Sequence, residues 1–297
     1  MNEKLSNLKI TENNKSIGWR VVVGDNLHLG HVSSLLKIIM AVKDVGYAVR
    51  ILIDDLDYSL KHNENLLNKN REAIKKIIIK IFKSYNIKNV SFFLSSDLRN
   101  SENYVNDFYK LISVTTEDEA ALCLETSNDV KMGDLLQPVL KTLDFLYLDV
   151  DIIVHCNDKV VSLVEKSKQF INLDIKSIKY INNGLICNFK NNKIPDLDKT
   201  LSIWLFDKER VVYKKINKFF CEEGNTDTSV LKIFESIIFN FVKLENKHLN
   251  ITTVDGNIIT YNNIEELMSD FKNKLVHPAD LKTSCSNYIL EIFKKFS

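Results

Sequence analysis

The chain has 297 residues, of which 45% are hydrophobic and 27% are charged, and its formal net charge is +1. These values are typical of a globular protein that can bury a full core and hold two domains, and they exclude an intrinsically disordered chain. A net charge so close to zero gives no overall basic signal, so any contact with nucleic acid must come from a local patch.

Cysteine spacing and hydropathy exclude two further classes of protein. The five cysteines are widely separated and none forms a Cys-x-x-Cys pair, so we expect neither a disulfide framework nor a zinc site. No segment approaches the ~18 apolar residues of a membrane span, and the polar residues at the start of the chain are not typical of a signal peptide. We therefore expect a cytoplasmic protein that does not associate with a membrane.

The first predicted strand and helix enclose a pair of histidines. Residues 19–23, Trp-Arg-Val-Val-Val, are typical of a short buried strand, and residues 32–45 carry apolar side chains at helical spacing before Gly46 ends the pattern. His28 and His31 lie between them, at the strand-to-helix junction where open α/β sheets bind phosphate. Two imidazoles three residues apart can both donate hydrogen bonds to anionic oxygens there. An ordinary polar helix cap is the alternative interpretation.

The alternation of strands and helices continues to about residue 191. Strands are predicted at 48–53, 90–94 and 150–155, and helices at 65–85, 134–146 and 158–170. Helical crossovers between successive strands imply parallel pairing. A predicted helix at 103–125 interrupts the alternation as a helical insertion around residues 100–132. We therefore predict an α/β fold for residues 1–191, a doubly wound, Rossmann-like sheet of parallel strands.

From residue 192 to the end of the sequence the pattern is mainly helical. Amphipathic helices are predicted at 208–220, 229–241, 264–271 and 278–296. Residues 251–261 are typical of a hairpin that turns at Asp255 and Gly256. We therefore predict a second, smaller helical domain over residues 192–297.

Three segments of the sequence resemble one known family. His28-Leu29-Gly30-His31 resembles the His-x-Gly-His signature of class I aminoacyl-tRNA synthetases. Residues 214–225 (Lys-Lys-Ile-Asn-Lys-Phe-Phe-Cys-Glu-Glu-Gly-Asn) and residues 277–282 (His-Pro-Ala-Asp-Leu-Lys) are similar to two runs of the archaeal and eukaryotic tyrosyl-tRNA synthetases. The resemblance extends from about residue 19 to residue 296, and the chain is identified as a divergent member of that family.

This resemblance implies a reaction and the residues that carry it. A tyrosyl-tRNA synthetase activates tyrosine with ATP, which binds together with Mg²⁺, and transfers the tyrosine to tRNA. The resemblance places His28, Gly30 and His31 at the ATP phosphates. Lys193 stands in the second signature loop and Lys199 follows it, so both would bind the triphosphate. The implied catalytic residues are His28, His31 and Lys193, and the helical domain is implied to bind the tRNA anticodon.

The resemblance also assigns five positions to the amino-acid site. Asp144 falls on the carboxylate that accepts a hydrogen bond from the substrate phenol, and Asp55 falls on the aspartate that ends the second strand. Gln137 and Lys141 replace a tyrosine and a glutamine of the pocket helix. Lys159 stands where the family has a glutamine after the following strand.

Several departures from the family concern the chemistry of the site. His155 and Cys156 replace two glycines that leave space for the nucleotide and the amino acid, and Gly18 and Trp19 stand nearest to a missing tyrosine of the first strand. Residues 194–197, Ile-Pro-Asp-Leu, replace the serines of the second signature loop, and their aspartate would repel a triphosphate. One positioned donor to a developing oxyanion contributes about 3–4 kcal/mol, so these losses predict impaired tyrosine activation.

A basic helix and a partner chain complete the predictions. Lys214, Lys215 and Lys218 lie at i, i+1 and i+4 of one predicted helix, and we expect them to bind tRNA. A solvated helix face is the alternative interpretation of these lysines. The resemblance implies a homodimer, or a heterodimer with another synthetase chain.

Three functions therefore remain open. The first is an active, divergent tyrosine–tRNA ligase. The second is a non-catalytic synthetase paralogue, a pseudoenzyme that acts as a tRNA-binding or dimer-partner subunit. The third is a class I synthetase whose specificity has changed to another amino acid, such as tryptophan. The persistence of His28, Gly30 and His31 favours activity, whereas most other site positions favour its loss.

Overall fold

A computed structural model of the protein describes residues 15–24, 26–56, 64–124, 130–155, 157–171, 173, 177–182 and 202–297. The chain divides into two compact units that are interleaved in sequence. The first unit lies within residues 1–22, 41–61 and 89–181, and the second lies within residues 23–40, 62–88 and 182–297. Residue 191 lies outside the described residues, so the predicted domains 1–191 and 192–297 stay a prediction.

The secondary structure of the described residues follows the predicted order. The strands are β1 (Ser16–Val22), β2 (Ala48–Asp54), β3 (Val90–Leu94), β4 (Ile152–His155), β5 (Lys179–Asn182), β6 (Leu249–Thr252) and β7 (Ile258–Tyr261). The helices are α1 (Leu29–Val45), α2 (Glu64–Ser84), α3 (Ser95–Arg99), α4 (Glu102–Val114), α5 (Glu117–Leu122), α6 (Met132–Tyr147), α7 (Asp158–Ser167), α8 (Glu209–Asn217), α9 (Ser229–Ile233), α10 (Phe239–Leu244), α11 (Ile264–Lys272) and α12 (Pro278–Phe296). A π-helical turn at Phe234–Ile238 joins α9 to α10. None of the helices in this part of the chain is long and apolar enough to cross a membrane.

The first unit is built on a five-stranded sheet in the order β3-β2-β1-β4-β5. Strand β1 pairs in parallel with β2 on one side and with β4 on the other, and β2 pairs in parallel with β3. Parallel sheets are buried on both faces, and Ile51, Leu52 and Ile53 of β2 are accordingly fully buried. The predicted doubly wound, Rossmann-like sheet is confirmed.

The helix predicted at 103–125 is divided into α4 and α5. Thr116 lies between them, and its hydroxyl accepts a hydrogen bond from the N–H of Glu119 at 3.3 Å. The Glu119 carboxylate in turn accepts from the N–H of Thr116 at 3.0 Å. This capping box begins a new helix at Glu117. The apolar periodicity alone predicted a single helix across this position.

Gly18 lies within β1, where close packing leaves no room for a side chain. A Cβ atom at this position would lie 2.7 Å from Cδ2 of Leu148 and 2.8 Å from Cγ2 of Val150. Both neighbours are buried, so they cannot move aside without disturbing a densely packed core.

The second unit contains the two histidines, α2 and the C-terminal elements. Helix α12 begins with Pro278 in its first turn, and its side chains Leu281, Cys285 and Ile289 are fully buried. It packs against both α2 and α8. Strands β6 and β7 pair antiparallel, and Gly256 in their turn has a φ angle of +82°, which glycine adopts without strain. The predicted hairpin and C-terminal helices are confirmed.

Gly18→Ala tests the packing around β1. We expect this change to lower the free energy of unfolding by about 1–3 kcal/mol, because the added methyl group overpacks a closed core. Gly133→Ala in the first turn of α6 is the matched control, since a Cβ atom there would meet no atom within 4 Å. Denaturant unfolding measures both variants, and equal stabilities would contradict the packing described for Gly18.

Candidate functional site

Four buried, charged side chains form a network of alternating charges in the first unit. Arg20 lies in β1 and forms an ion pair with Asp54 at the end of β2. Its Nε atom lies 3.0 Å from the carboxylate of Asp144 in α6. Arg99, at the end of α3, lies 3.3 Å from Asp54 and 2.7 Å from Asp144. Each arginine thus contacts both aspartates. The four side chains are at most 7% exposed, so their charges are balanced by one another and not by solvent.

The carboxylate of Asp144 is fully occupied by hydrogen bonds from the protein itself. Its Oδ2 atom accepts from Nε of Arg20 at 3.0 Å and from Nη2 of Arg99 at 2.7 Å. Its Oδ1 atom accepts from Nε of Arg99 at 3.2 Å and from the hydroxyl of Tyr104 at 2.9 Å. A carboxylate has about four acceptor positions, so this arrangement leaves none for a further hydroxyl.

The protonation of the donors keeps the network closed. Burial, and then the charge of Asp144, raises the pKa of the Tyr104 phenol well above its usual value. Burial alone would lower the pKa of Arg99, but its hydrogen bond to Asp144 and the nearby carboxylates outweigh this effect and raise the pKa. Both groups therefore keep their protons at neutral pH and donate to Asp144.

Asp55 is held by the first turn of α3. Its Oδ1 atom accepts from the hydroxyl of Ser95 and from the N–H of Ser96, both at 2.9 Å, and its Oδ2 atom accepts from the hydroxyl of Ser96 at 2.8 Å. The hydroxyl of Ser95 also lies 2.8 Å from Oδ1 of Asp54. Two successive buried carboxylates thus fix the short helix that carries Arg99.

The other residues predicted for amino-acid binding lie in two places. Gln137 and Lys141 are partly exposed on α6 and share one helix face with the buried Asp144, because the three are spaced at i, i+4 and i+7. Lys159 is exposed on α7, a helix that packs against α6. The structure therefore groups three of these four positions on one helix and leaves Lys159 on another.

The structure shows what surrounds two positions at which the sequence departs from the family pattern, Gly18 and His155. Gly18 has no room for a tyrosine side chain, and the neighbouring Trp19 is buried. His155 is buried at the end of β4, where its ring lies edge-on to Tyr180 with centroids 5.9 Å apart, and its Nε2 atom is 3.8 Å from the carboxylate of Asp158. An imidazole thus occupies space that a glycine would leave open.

The two histidines of the second unit form a compact pair at the start of α1. Their ring centroids are 3.9 Å apart. Nδ1 of His28 accepts from the N–H of Gly30 at 3.1 Å, and Nδ1 of His31 accepts from the N–H of His28 at 3.0 Å. Because both Nδ1 atoms are acceptors, each neutral ring carries its proton on Nε2 and is a donor there. A Cβ atom on Gly30 would lie 2.9 Å from Cε1 of His28, so this close approach requires glycine.

The charge state of His31 suits a hydrogen-bond donor. Burial, and then proximity to His28, lowers the pKa of His31 well below its usual value. The ring is therefore neutral at physiological pH and offers a directed N–H. The first turn of a helix such as α1 also attracts anions, so the pair fits the oxygens of a phosphate.

A segment that follows the second signature loop pairs with the backbone beside His28. The N–H of Leu29 donates to the carbonyl of Ile203 at 3.1 Å, and the N–H of Leu205 donates to the carbonyl of Leu27 at 2.7 Å. The second signature loop itself, with Lys193 and Lys199, lies outside the described residues, as does Cys156. The roles of these residues stay predictions.

Lys215, one of the three lysines predicted to bind tRNA, is buried, and its role in tRNA binding stays a prediction. Its ammonium group lies 2.7 Å from the carboxylate of Asp207 and donates to the carbonyl of Ser202 at 2.6 Å. The physical reason is its position on α8, because Val212 and Ile216 on either side of it in the helix are also fully buried. Lys215 therefore anchors the segment that pairs beside His28 and does not present its charge to solvent.

The exposed basic row of α8 differs from the predicted one by one residue. Lys214 and Lys218 are exposed, as predicted from their spacing. Arg210 is also exposed and lies four residues before Lys214, so the three side chains stand at i, i+4 and i+8. We call Arg210, Lys214 and Lys218 the α8 row.

Sequence reasoning missed four residues of the buried network, Arg20, Asp54, Arg99 and Tyr104. One signal was present, because Arg20 interrupts an apolar strand, and a buried charge requires a partner. Arg99 and Tyr104 lie in ordinary amphipathic surroundings, and only folding brings them to Asp144.

Comparison with known proteins gives one consistent result. Residues 23–294 match the family model of the class I tRNA synthetases (W and Y). A probable cytoplasmic tyrosine–tRNA ligase of Enterocytozoon bieneusi is 31% identical over 294 residues, covering 94% of this chain and 82% of that protein. Its counterpart in Encephalitozoon cuniculi is 26% identical over 297 residues, covering 96% and 87%. The tyrosyl-tRNA synthetase of Archaeoglobus fulgidus, solved with L-tyrosine, has the same fold, with a TM-score of 0.81 at 22% identity over 100% of this chain and 93% of that one.

Asp144→Asn tests the buried network. The amide removes one negative charge from between two arginines, so we expect the free energy of unfolding to fall by about 3–5 kcal/mol. Asp149→Asn is the matched control, because Asp149 is exposed and lies 3.4 Å from Arg50, and we expect a loss below about 1 kcal/mol there. Denaturant unfolding compares the two variants. Similar losses would show that the network does not hold the first unit together.

The histidine pair predicts a specific pH dependence. His31 has a lowered pKa in the folded state, so the unfolded chain takes up the proton first and stability falls as the pH drops below about 6.5. His31→Asn keeps an acceptor for the N–H of His28 and removes the titration. Between pH 7 and pH 5 we expect wild type to lose stability relative to the variant, by at most about 1.4 kcal/mol per pH unit. Parallel unfolding curves at each pH measure this difference, and a constant difference would contradict it.

Proposed function

Because the chain belongs to the class I tRNA synthetases of the tryptophan and tyrosine group, we propose that it is a tyrosine–tRNA ligase-like protein whose tyrosine activation is impaired. In this proposal it acts mainly as a tRNA-binding or dimer-partner subunit. The observation that carries the proposal is the complete occupation of Asp144 by Arg20, Arg99 and Tyr104.

The occupied carboxylate removes the basis for selecting tyrosine. A phenol could reach Asp144 only by displacing an arginine or the Tyr104 hydroxyl. Displacing one partner of a buried ion pair costs about 3–5 kcal/mol, which corresponds to roughly two to four powers of ten in affinity. The lack of space at Gly18 supports the same conclusion, because no side chain there can supply a second partner for the phenol.

The histidine pair supports retained binding of ATP. ATP, bound with Mg²⁺, would supply the α-phosphate that an amino-acid carboxylate attacks. The Nε2–H groups of His28 and His31 would donate to phosphate oxygens and stabilise the charge that develops on them. Gly30 permits the close contact of these residues. Lys193 and Lys199 complete the proposed phosphate contacts.

Binding of tRNA and of a second chain completes the proposal. The α8 row offers three exposed basic side chains to phosphates. Large apolar residues of the helical insertion are exposed, and a dimer with a second copy or with another synthetase chain would cover them: Val105, Tyr109, Leu122 and Met132. A cytoplasmic location is proposed because the similar ligases carry that description in their names.

A second candidate function is a ligase for an amino acid other than tyrosine. The observation that favours it is the intact pairing of His28, Gly30 and His31, whose geometry suits the phosphate chemistry of an active enzyme. The occupied Asp144 carboxylate excludes a phenol as a partner. It does not by itself prevent the histidine pair from acting on the phosphates of ATP.

Pyrophosphate exchange tests the proposal directly. With wild-type protein, ATP and labelled pyrophosphate, we expect tyrosine-dependent exchange at background level, while the same preparation binds tRNA. An active tyrosine–tRNA ligase assayed in parallel is the positive control. Exchange with tyrosine at the rate of this control would overturn the proposal, whereas exchange with a different amino acid would establish the second candidate.

A further inference from the structure

Helix α2 carries exposed lysines that the proposed function does not use. Four of them, Lys69, Lys76, Lys80 and Lys83, are exposed, and we call them the lysine row. Their spacing of i, i+7, i+11 and i+14 places them on one face of the helix. At a rise of 1.5 Å per residue the row is about 21 Å long.

The opposite face of α2 holds the lysine row toward solvent. Leu67, Ile74 and Ile78 on that face are at most 3% exposed. Helix α2 also packs against α12 within the same unit. Because the apolar face is fixed in the core, the lysine row cannot rotate out of its position on the surface.

Within the described residues, no ion pair neutralises the positive charge of the lysine row. Between Lys69 and Lys83 the sequence has a single acidic residue, Glu72. The carboxylate of Glu72 lies 3.3 Å from the ammonium group of Lys75, beside the row. The row is therefore a positive surface in a chain whose net charge is only +1.

Helix α12 connects the lysine row to the α8 row. Tyr85, just beyond the end of α2, packs edge-on against Phe296 with centroids 6.4 Å apart, and the ammonium group of Lys295 lies 5.3 Å from its ring. Nearer the start of α12, the ammonium group of Lys282 donates to the carbonyl of Asn217 at the end of α8, at 3.2 Å. Both basic rows thus belong to one unit and lie on helices that pack against the same helix.

We propose that the lysine row of α2 is a second RNA-binding surface, which contacts phosphates of the same tRNA as the α8 row. The inference rests on the proposed function for the identity of the RNA. The four lysines are exposed along one helix face and form no ion pair within the described residues. Such a face suits a phosphate backbone, which offers repeated negative charge. They suit a membrane poorly, because a helix at a bilayer surface inserts its apolar face, and that face of α2 is buried in the core.

Charge-neutralising variants of the full chain test this surface. Three double variants each replace two exposed basic residues of the second unit by glutamine: Lys76→Gln/Lys80→Gln in the lysine row, Arg210→Gln/Lys214→Gln in the α8 row, and Lys243→Gln/Lys272→Gln as a matched control outside both rows. Affinity for purified bulk transfer RNA is measured over a range of salt concentrations. Thermal unfolding checks that each variant is folded, and vesicles containing an anionic lipid are the second probe.

Each neutralised phosphate contact should lower the slope of log affinity against log salt concentration by about 0.7–0.9. We therefore expect the lysine-row variant to lose nearly two units of slope and at least about tenfold in affinity at 0.1 M salt, while the control variant matches wild type. A weakened α8-row variant beside an unchanged lysine-row variant would overturn this inference and leave the proposed function standing. A wild-type chain that binds no transfer RNA would overturn both this inference and the tRNA-binding role in the proposed function. Weaker binding to vesicles with unchanged binding to RNA would overturn the assignment of the row to RNA.

Discussion

The pairing of Arg20 and Arg99 with Asp54 and Asp144 joins four elements of the first unit, β1, β2, α3 and α6, through charges that solvent does not reach. A buried charge is tolerated only beside its counter-charge, so none of these elements can shift without leaving an ion uncompensated. The acceptor positions of Asp144 thus hold these elements of the first unit together.

The histidine pair and Asp144 are held in place by contacts of different range in the sequence. The histidine pair depends on local backbone geometry, since both Nδ1 atoms accept from N–H groups no more than three residues away. Such a pair survives as long as Gly30 permits the close approach. Asp144, by contrast, is held by Arg20, Arg99 and Tyr104, which lie in other elements of the first unit. The geometry of the histidine pair is thus set locally, whereas the surroundings of Asp144 are set by the packed core.

Lys215 shows how structural and functional roles divide along one helix. Lys214 and Lys215 are adjacent in sequence and chemically identical, yet the first is exposed and the second is buried against Asp207. A helix turns by about 100° per residue, so neighbouring positions face different surroundings. Burial of Lys215 anchors the segment that pairs beside His28, and it leaves the α8 row to Arg210, Lys214 and Lys218.

The sequence by itself determined the order of strands and helices, the parallel sheet and the histidine pair at the start of α1, because these depend on apolar periodicity and on contacts within a few residues. It also determined the family, through motifs that are short and continuous. Only the tertiary structure decided the partners of Asp144, since Arg20 and Asp144 are 124 residues apart and no local pattern predicts that they meet. The burial of Lys215 against Asp207 was likewise decided by packing, whereas the break between α4 and α5 comes from a local capping box at Thr116 and Glu119 that apolar periodicity alone does not reveal. Local spacing fixes which elements form, whereas the charges that fill a site depend on which distant side chains the packed core brings together.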